Sequence, residues 1–119
     1  MPNQNPAIKP FLRLSPVIPV LVVDDTAHAV PLAQALLAGG IKVLEITLRT
    51  PNALSVISEI ARHVPDAVLA AGTVTTPEQW EEAARAGARF AVSPGLTPRL
   101  LDAAAQATIP LLASLLPAS

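Results

Sequence analysis

The stretch Ala38-Gly39-Gly40-Ile41-Lys42-Val43-Leu44-Glu45-Ile46-Thr47-Leu48-Arg49-Thr50-Pro51 decides the fold. After Ala38 it carries two glycines, the residue a helix C-cap favours where the backbone turns left-handed. A β-branched apolar run follows. The stretch closes on a hydroxyl N-cap before a proline, which suits the free amides of a helix start and proline's fixed φ. Helix end, strand and helix start make one βα unit. A second copy runs through Ala86-Gly87, Phe90-Ala91-Val92-Ser93 and Thr97-Pro98. Thr76-Pro77 opens another helix, with Gln79 completing a capping box. Six residues beyond Gly39 and Gly87 stand Glu45 and Ser93, so both are expected at one depth near the carboxyl end of a strand.

Outward from that unit, apolar runs fall at 17–23, 43–47, 68–73 and 90–93, with 109–112 as a candidate fifth. Their starts lie roughly 20 to 26 residues apart. Between them, 27–37, 52–63, 78–86 and 99–107 carry helical spacing. Strands alternating with helices predict an α/β fold with a parallel sheet, apolar on both faces because helices cover it. No Gly-x-Gly-x-x-Gly follows any strand, which disfavours an open dinucleotide-binding sheet. Several strands ending in polar residues favour a (β/α)₈ barrel, which collects its chemistry at that rim. A TIM barrel takes about 200 to 250 residues. The 119 residues therefore read as parallel βα repeats making about half of a (β/α)₈ TIM barrel. Strands one to five occupy 16–112, between an N-terminal extension at 1–15 and a divergent tail at 113–119.

Composition narrows the function classes. Half of the residues are apolar (51%) and 14% are charged, enough apolar material for a core. A net charge of −1 gives no electrostatic footprint for nucleic acid or an anionic membrane surface. Without cysteine there is no disulfide framework and no thiol nucleophile. The polar, proline-containing first ten residues do not resemble a signal peptide, and no apolar run approaches the ~20 residues a spanning helix needs. A cytoplasmic protein is expected.

Glu45 is the most informative side chain. An ionised carboxylate inside Val43-Leu44-Glu45-Ile46-Thr47 is costly without a partner. Strand alternation puts Glu45 and Thr47 on one face, with Lys42, Leu44 and Ile46 on the other. Glu45 is either a strand-end glutamate reaching solvent or an arginine, or a general acid/base with a raised pKa. Arg49, in the following loop, can fork onto a carboxylate or phosphate, or be a plain surface charge. Thr73 closes the third run after Ala70-Ala71-Gly72, small residues that let a ligand approach the backbone; composition alone favours an ordinary strand-end threonine. Ser93-Pro94-Gly95 is a tight turn that can also shape a site. His28 and His63 sit on separate helices without metal-ligand spacing, so no metal is expected. Trp80 is expected to be partly buried or at an interface.

These segments meet a family. Val17-Ile18-Pro19-Val20-Leu21-Val22-Val23, Ala38-Gly39-Gly40, Leu44-Glu45-Ile46-Thr47-Leu48-Arg49-Thr50, Ala71-Gly72-Thr73-Val74 and Ser93-Pro94-Gly95-Leu96-Thr97 resemble the 2-keto-3-deoxy-6-phosphogluconate (KDPG) aldolases and 4-hydroxy-2-oxoglutarate aldolases. The likeness runs from about Pro16 to Leu112, as an N-terminal half. It implies a class I aldolase without metal or cofactor, on a trimeric (β/α)₈ barrel, whose lysine forms a Schiff base with pyruvate or another 2-keto acid. The glutamate matching Glu45 shuttles protons, while Arg49 and Thr73 match residues that hold the pyruvate carboxylate. Ser93, Pro94 and Gly95 match the turn lining the pocket. The family's Schiff-base lysine lies on the sixth strand, beyond this sequence, and only Lys9 and Lys42 are present. Neither suits the role: Lys9 precedes the first strand, and Lys42 has the wrong parity at the opposite end.

Three functions follow. The first is an aldolase cleaving 2-keto-3-deoxy-6-phosphogluconate to pyruvate and glyceraldehyde 3-phosphate, represented here by its acid/base half and inactive without an amine. The second is a non-catalytic, self-associating half-barrel with residual carboxylate binding. The third, another phosphate-handling barrel enzyme, is disfavoured by the Glu45–Arg49 string.

Overall fold

Each strand is laid down beside the one before it, and all five run parallel in the order β1-β2-β3-β4-β5. The computed structural model describes residues 18–113. Strands β1 (Val20–Leu21), β2 (Val43–Thr47), β3 (Val68–Gly72), β4 (Phe90–Ser93) and β5 (Leu111–Ala113) alternate with helices α1 (Thr26–Ala38), α2 (Ala53–His63), α3 (Pro77–Ala86) and α4 (Pro98–Ala103). Val17, the extension at 1–15 and residues 114–119 lie outside the described residues.

Alternation along the strands makes two layers. Leu44, Ile46, Leu69, Ala71 and Ala91 face the helices and are buried with Ala33, Val56, Ile57, Ile60, Ala83 and Leu100. Burying a leucine, isoleucine or valine side chain stabilises by ~1.5–3 kcal/mol, so this layer carries the fold. The opposite face has its own smaller cluster: Val43, Ala70 and Phe90, with Ile18, Val68, Val92 and Leu112 packed against it. Both faces of the sheet are apolar, as expected of parallel strands.

The helix starts divide into two kinds. Thr76 and Thr97 are N-caps as read, accepting from the Gln79 and Leu100 amides with proline next in the chain. The capping box is displaced by one residue, because Gln79 Oε1 accepts from the Thr75 amide and hydroxyl. Thr50 is not a cap. Helix α2 starts two residues later than Thr50-Pro51 suggests, with Asn52 before it. The Thr50 hydroxyl instead donates to the Val23 carbonyl, and Asn52 Nδ2 to that of Asp24. Both side chains tie the loop after β2 to the loop after β1.

The helix ends also differ from the reading. Gly39 has an ordinary φ of −82°, and the left-handed residue is Gly40 at +93°. Gly87 does take the left-handed turn, at +120°. Helix α4 stops at Ala103 rather than 107, because Ala104, Ala105, Gln106 and Ala107 are exposed and nothing packs on a further turn. Strand β5 begins at Leu111, not at 109: the Ile109 carbonyl accepts from Trp80 Nε1 at 3.0 Å. Trp80 is thereby a core residue, only 4% exposed.

Candidate active site

Glu45 occupies the centre of β2, between Val20 of β1 and Ala70 of β3 in register. Its neighbours Leu44 and Ile46 point into the helix-covered layer. Glu45 itself therefore stands on the opposite face, beside the apolar cluster of Val43, Ala70 and Phe90. It is half-buried, and no described residue gives its carboxylate a hydrogen bond or ion pair. Burial without a partner penalises the charged form, so its pKa is raised above the ordinary glutamate value. The side chain leans along the strand direction onto Gly72. A Cβ at residue 72 would lie 2.9 Å from Glu45 Cδ and 3.0 Å from Cγ, and closer still to Oε2.

The rim beyond Glu45 is held by threonines. Thr47, buried, donates its hydroxyl to the Leu21 carbonyl at 3.3 Å, tying β1 to β2. Thr73 follows β3 directly and is the one non-glycine residue with positive φ (61°) among the described residues. A left-handed, β-branched residue costs roughly 1–3 kcal/mol, and such strain gathers at functional sites. It is not the ordinary strand-end threonine that composition allows. Its hydroxyl makes no hydrogen bond to another described residue, while the amides on either side are anchored: Leu48 N–H donates to the Gly72 carbonyl and Val74 N–H to that of Val92, both at 2.9 Å.

Arg49 lies in the loop after β2, exposed, with no ion pair to a described residue. Ser93 is fully buried, and its hydroxyl is spent on the turn, donating to the Gly95 carbonyl and accepting from the Gly95 amide. By alternation it shares the side of Ala91, not that of Phe90 and Val92 on the Glu45 face. The matched depth of Glu45 and Ser93 does not hold either. Glu45 pairs with Ala70, and Ala70 with Phe90, three residues short of Ser93. The structure sets Glu45 against Gly72 and pairs Thr47 with Gly72 in register, with Thr73 next in the chain; by alternation Ser93 falls on the other side of the sheet, and Pro94 and Gly95 are exposed.

Other candidates have structural roles. His63 ends α2 with Nε2 3.3 Å from a Glu59 carboxylate oxygen, and His28 Nδ1 lies 3.8 Å from Asp25. Lys42 precedes β2, exposed, at the amino end of the sheet, where its carbonyl accepts from Val68 N–H. Lys9 falls outside the described residues. Gly72 is the residue the sequence reading undervalued. Its signal lies in the register, which the sequence does not carry: it stands on the Glu45 face, two positions beyond the register partner Ala70.

The family model for the KDPG and KHG aldolases matches residues 8–119. The chain belongs to that family. It is 53% identical over 112 residues to the 2-dehydro-3-deoxy-phosphogluconate aldolase of Dickeya dadantii, covering 94% of this chain and 53% of that protein. Its fold is similar to the KDPG aldolase of Legionella pneumophila with pyruvate captured at low pH as a covalent carbinolamine intermediate. There the TM-score is 0.82 at 48% identity, over 91% of this chain and 52% of that one. It is also similar to the 2-keto-3-deoxy-6-phosphogluconate aldolase of Zymomonas mobilis with 3-phosphoglycerate, at a TM-score of 0.84 and 49% identity over 93% and 53% of the two chains. This chain thus spans about half the length of the curated aldolases it matches. Five parallel strands alternating with helices correspondingly make about half of a TIM barrel. Among the described residues no helix is long and apolar enough to cross a membrane.

Proposed function

We propose that these residues carry the acid/base and carboxylate-binding half of a class I aldolase that cleaves 2-keto-3-deoxy-6-phosphogluconate to pyruvate and glyceraldehyde 3-phosphate. The observation that carries the proposal is Glu45: a half-buried carboxylate with no partner among the described residues, on the face of the sheet away from the helices, with its pKa pushed up by burial. A general acid/base works best with a pKa near the working pH, and a raised carboxyl moves in that direction.

In this reading the keto acid lies over the rim of β2 and β3. Thr73, with its unused hydroxyl, and Arg49, exposed and unpaired, bind the carboxylate of the substrate; a guanidinium does so with two parallel hydrogen bonds. An amine supplied from outside these 119 residues condenses with the C2 ketone and loses water, giving an iminium. Glu45 moves the protons. It relieves the carbinolamine of its hydroxyl as water, and it takes the C4 hydroxyl proton as the C3–C4 bond breaks to release the aldehyde. It then returns a proton to C3 of the enamine, leaving pyruvate iminium to hydrolyse. The pyruvate-bound Legionella relative and the family match support this assignment of substrate class.

The 119-residue polypeptide alone is then inactive, and borohydride reduction with pyruvate separates the possibilities. No adduct is expected on the polypeptide itself. A chimera completed with the remaining half of the Dickeya dadantii relative should trap pyruvate on a lysine of the added half. An adduct on Lys42 or Lys9 would overturn the assignment.

A second reading, self-association without catalysis, has its own observation. Val20 and Val22 of the first strand segment are 60% and 57% exposed. Valines so uncovered next to a buried sheet suit a packing surface.

A further inference from the structure

Gly72 has no conformational reason to be glycine. Its φ is not among the left-handed values, which belong to Gly40 and Gly87, and its carbonyl accepts from Leu48 N–H as any residue's would. What glycine provides is room. The three heavy atoms nearest to the Cβ that residue 72 lacks all belong to the Glu45 side chain.

We propose that Gly72 is a positioning residue that sets where the Glu45 carboxylate stands; the inference rests on the acid/base role given to Glu45 above. By register Glu45 belongs to the row Val20–Glu45–Ala70–Phe90, in mid-sheet. The rim row, Thr47 beside Gly72, is two residues higher, about 6.6 Å at a strand's rise. A glutamate side chain covers part of that distance, and it does so by lying toward the space where residue 72 has no Cβ. Gly72 is the position it crosses. With Gly72 bare, the carboxylate passes through the space that a Cβ at 72 would fill. A methyl group at 72 closes the passage.

The obstacle would meet the flexible end of a side chain, not backbone, so the carboxylate moves and the strand stays. Its alternatives are unequal. The apolar cluster of Val43, Ala70 and Phe90 lies on one side and solvent on the other. The elements packed around Glu45 present Val20 from β1, Ala70 and Gly72 from β3 and Phe90 from β4, none of them charged. Lys42 and Arg49, the cations nearest in the chain, make no ion pair with Glu45. Displacement therefore carries the carboxylate outward into water.

The test is the titration of Glu45 in the full chain, carrying ¹³C at glutamate Cδ, with Glu45→Gln assigning the resonance. In Gly72→Ala the midpoint should fall toward the ordinary glutamate value of about 4.3. An unchanged or higher midpoint in a folded Gly72→Ala protein would overturn the proposal. Should Gly72→Ala fail to fold, Glu45→Ala/Gly72→Ala decides. It should fold as well as Glu45→Ala, since the obstructed side chain is gone; if it also fails, the glycine serves something else and the proposal falls. Glu45-dependent exchange of pyruvate methyl protons, read in the completed barrel, tests the functional reading separately. A midpoint that falls in Gly72→Ala while exchange ignores Glu45→Gln upholds the positioning and removes the acid/base role.

Discussion

At the scale of single residues, the physics of Glu45 reduces to a carboxylate that water has partly left and no partner has replaced. Its raised pKa has a definite consequence for stability. Between the ordinary value of about 4.3 and the raised value, the folded chain keeps a proton that the unfolded chain has lost. Stability contributed by this group is present below the ordinary pKa, falls as pH rises through the window, and then levels. Glu45→Gln has no such proton to lose. The stability of Glu45→Gln relative to wild type should accordingly grow with pH across the window, as read from thermal unfolding at a series of pH values. A pH-independent difference would mean that the carboxylate is solvated, and one that shrinks with pH would mean that it is paired with a cation. That Glu45 faces away from the helices was legible from alternation alone, because Leu44 and Ile46 are unmistakably core. That it leans onto Gly72 was not, since a side chain's path depends on the neighbouring strand's register.

At the scale of elements, two identical-looking Thr-Pro signatures do the same job and a third does another. Thr76 and Thr97 accept from backbone amides, so Thr76→Ala or Thr97→Ala should cost about 1 kcal/mol, and aspartate should restore most of it. Thr50 donates to the Val23 carbonyl. Aspartate has no proton to give there, so Thr50→Asp should destabilise at least as much as Thr50→Ala. Urea unfolding of the six variants checks this; rescue of Thr50 by aspartate would mean it caps α2 after all. The dipeptide reveals that a helix is near but not whether the hydroxyl donates or accepts, which long-range contact decides. Counting residues from the glycines failed for a related reason. Strand β2 begins four residues after Gly39 and β4 three after Gly87, and register sets β4 a further step along the sheet. Depth in a sheet is a property of pairing, and chain distance does not contain it. The parallel order itself was legible, because apolar runs alternating with capped helices leave few other arrangements.

At the scale of the whole molecule, β1 and β5 each pair on one side only among the described residues. Unpaired strand edges and the exposed Val20 and Val22 invite association. Light scattering of the 119-residue polypeptide at micromolar concentration should therefore show species larger than 12.3 kDa. A monodisperse monomer with cooperative unfolding would show that the sheet closes its own core. In the reading proposed above, completing the barrel pairs both strand edges and supplies the amine. The most direct test is the turnover of the completed barrel with and without Glu45→Gln. If Glu45 is the proton shuttle, turnover should fall roughly 10²–10⁴-fold, the scale of general acid–base catalysis, with KM changing far less. Normal turnover in the Glu45→Gln enzyme would contradict the account.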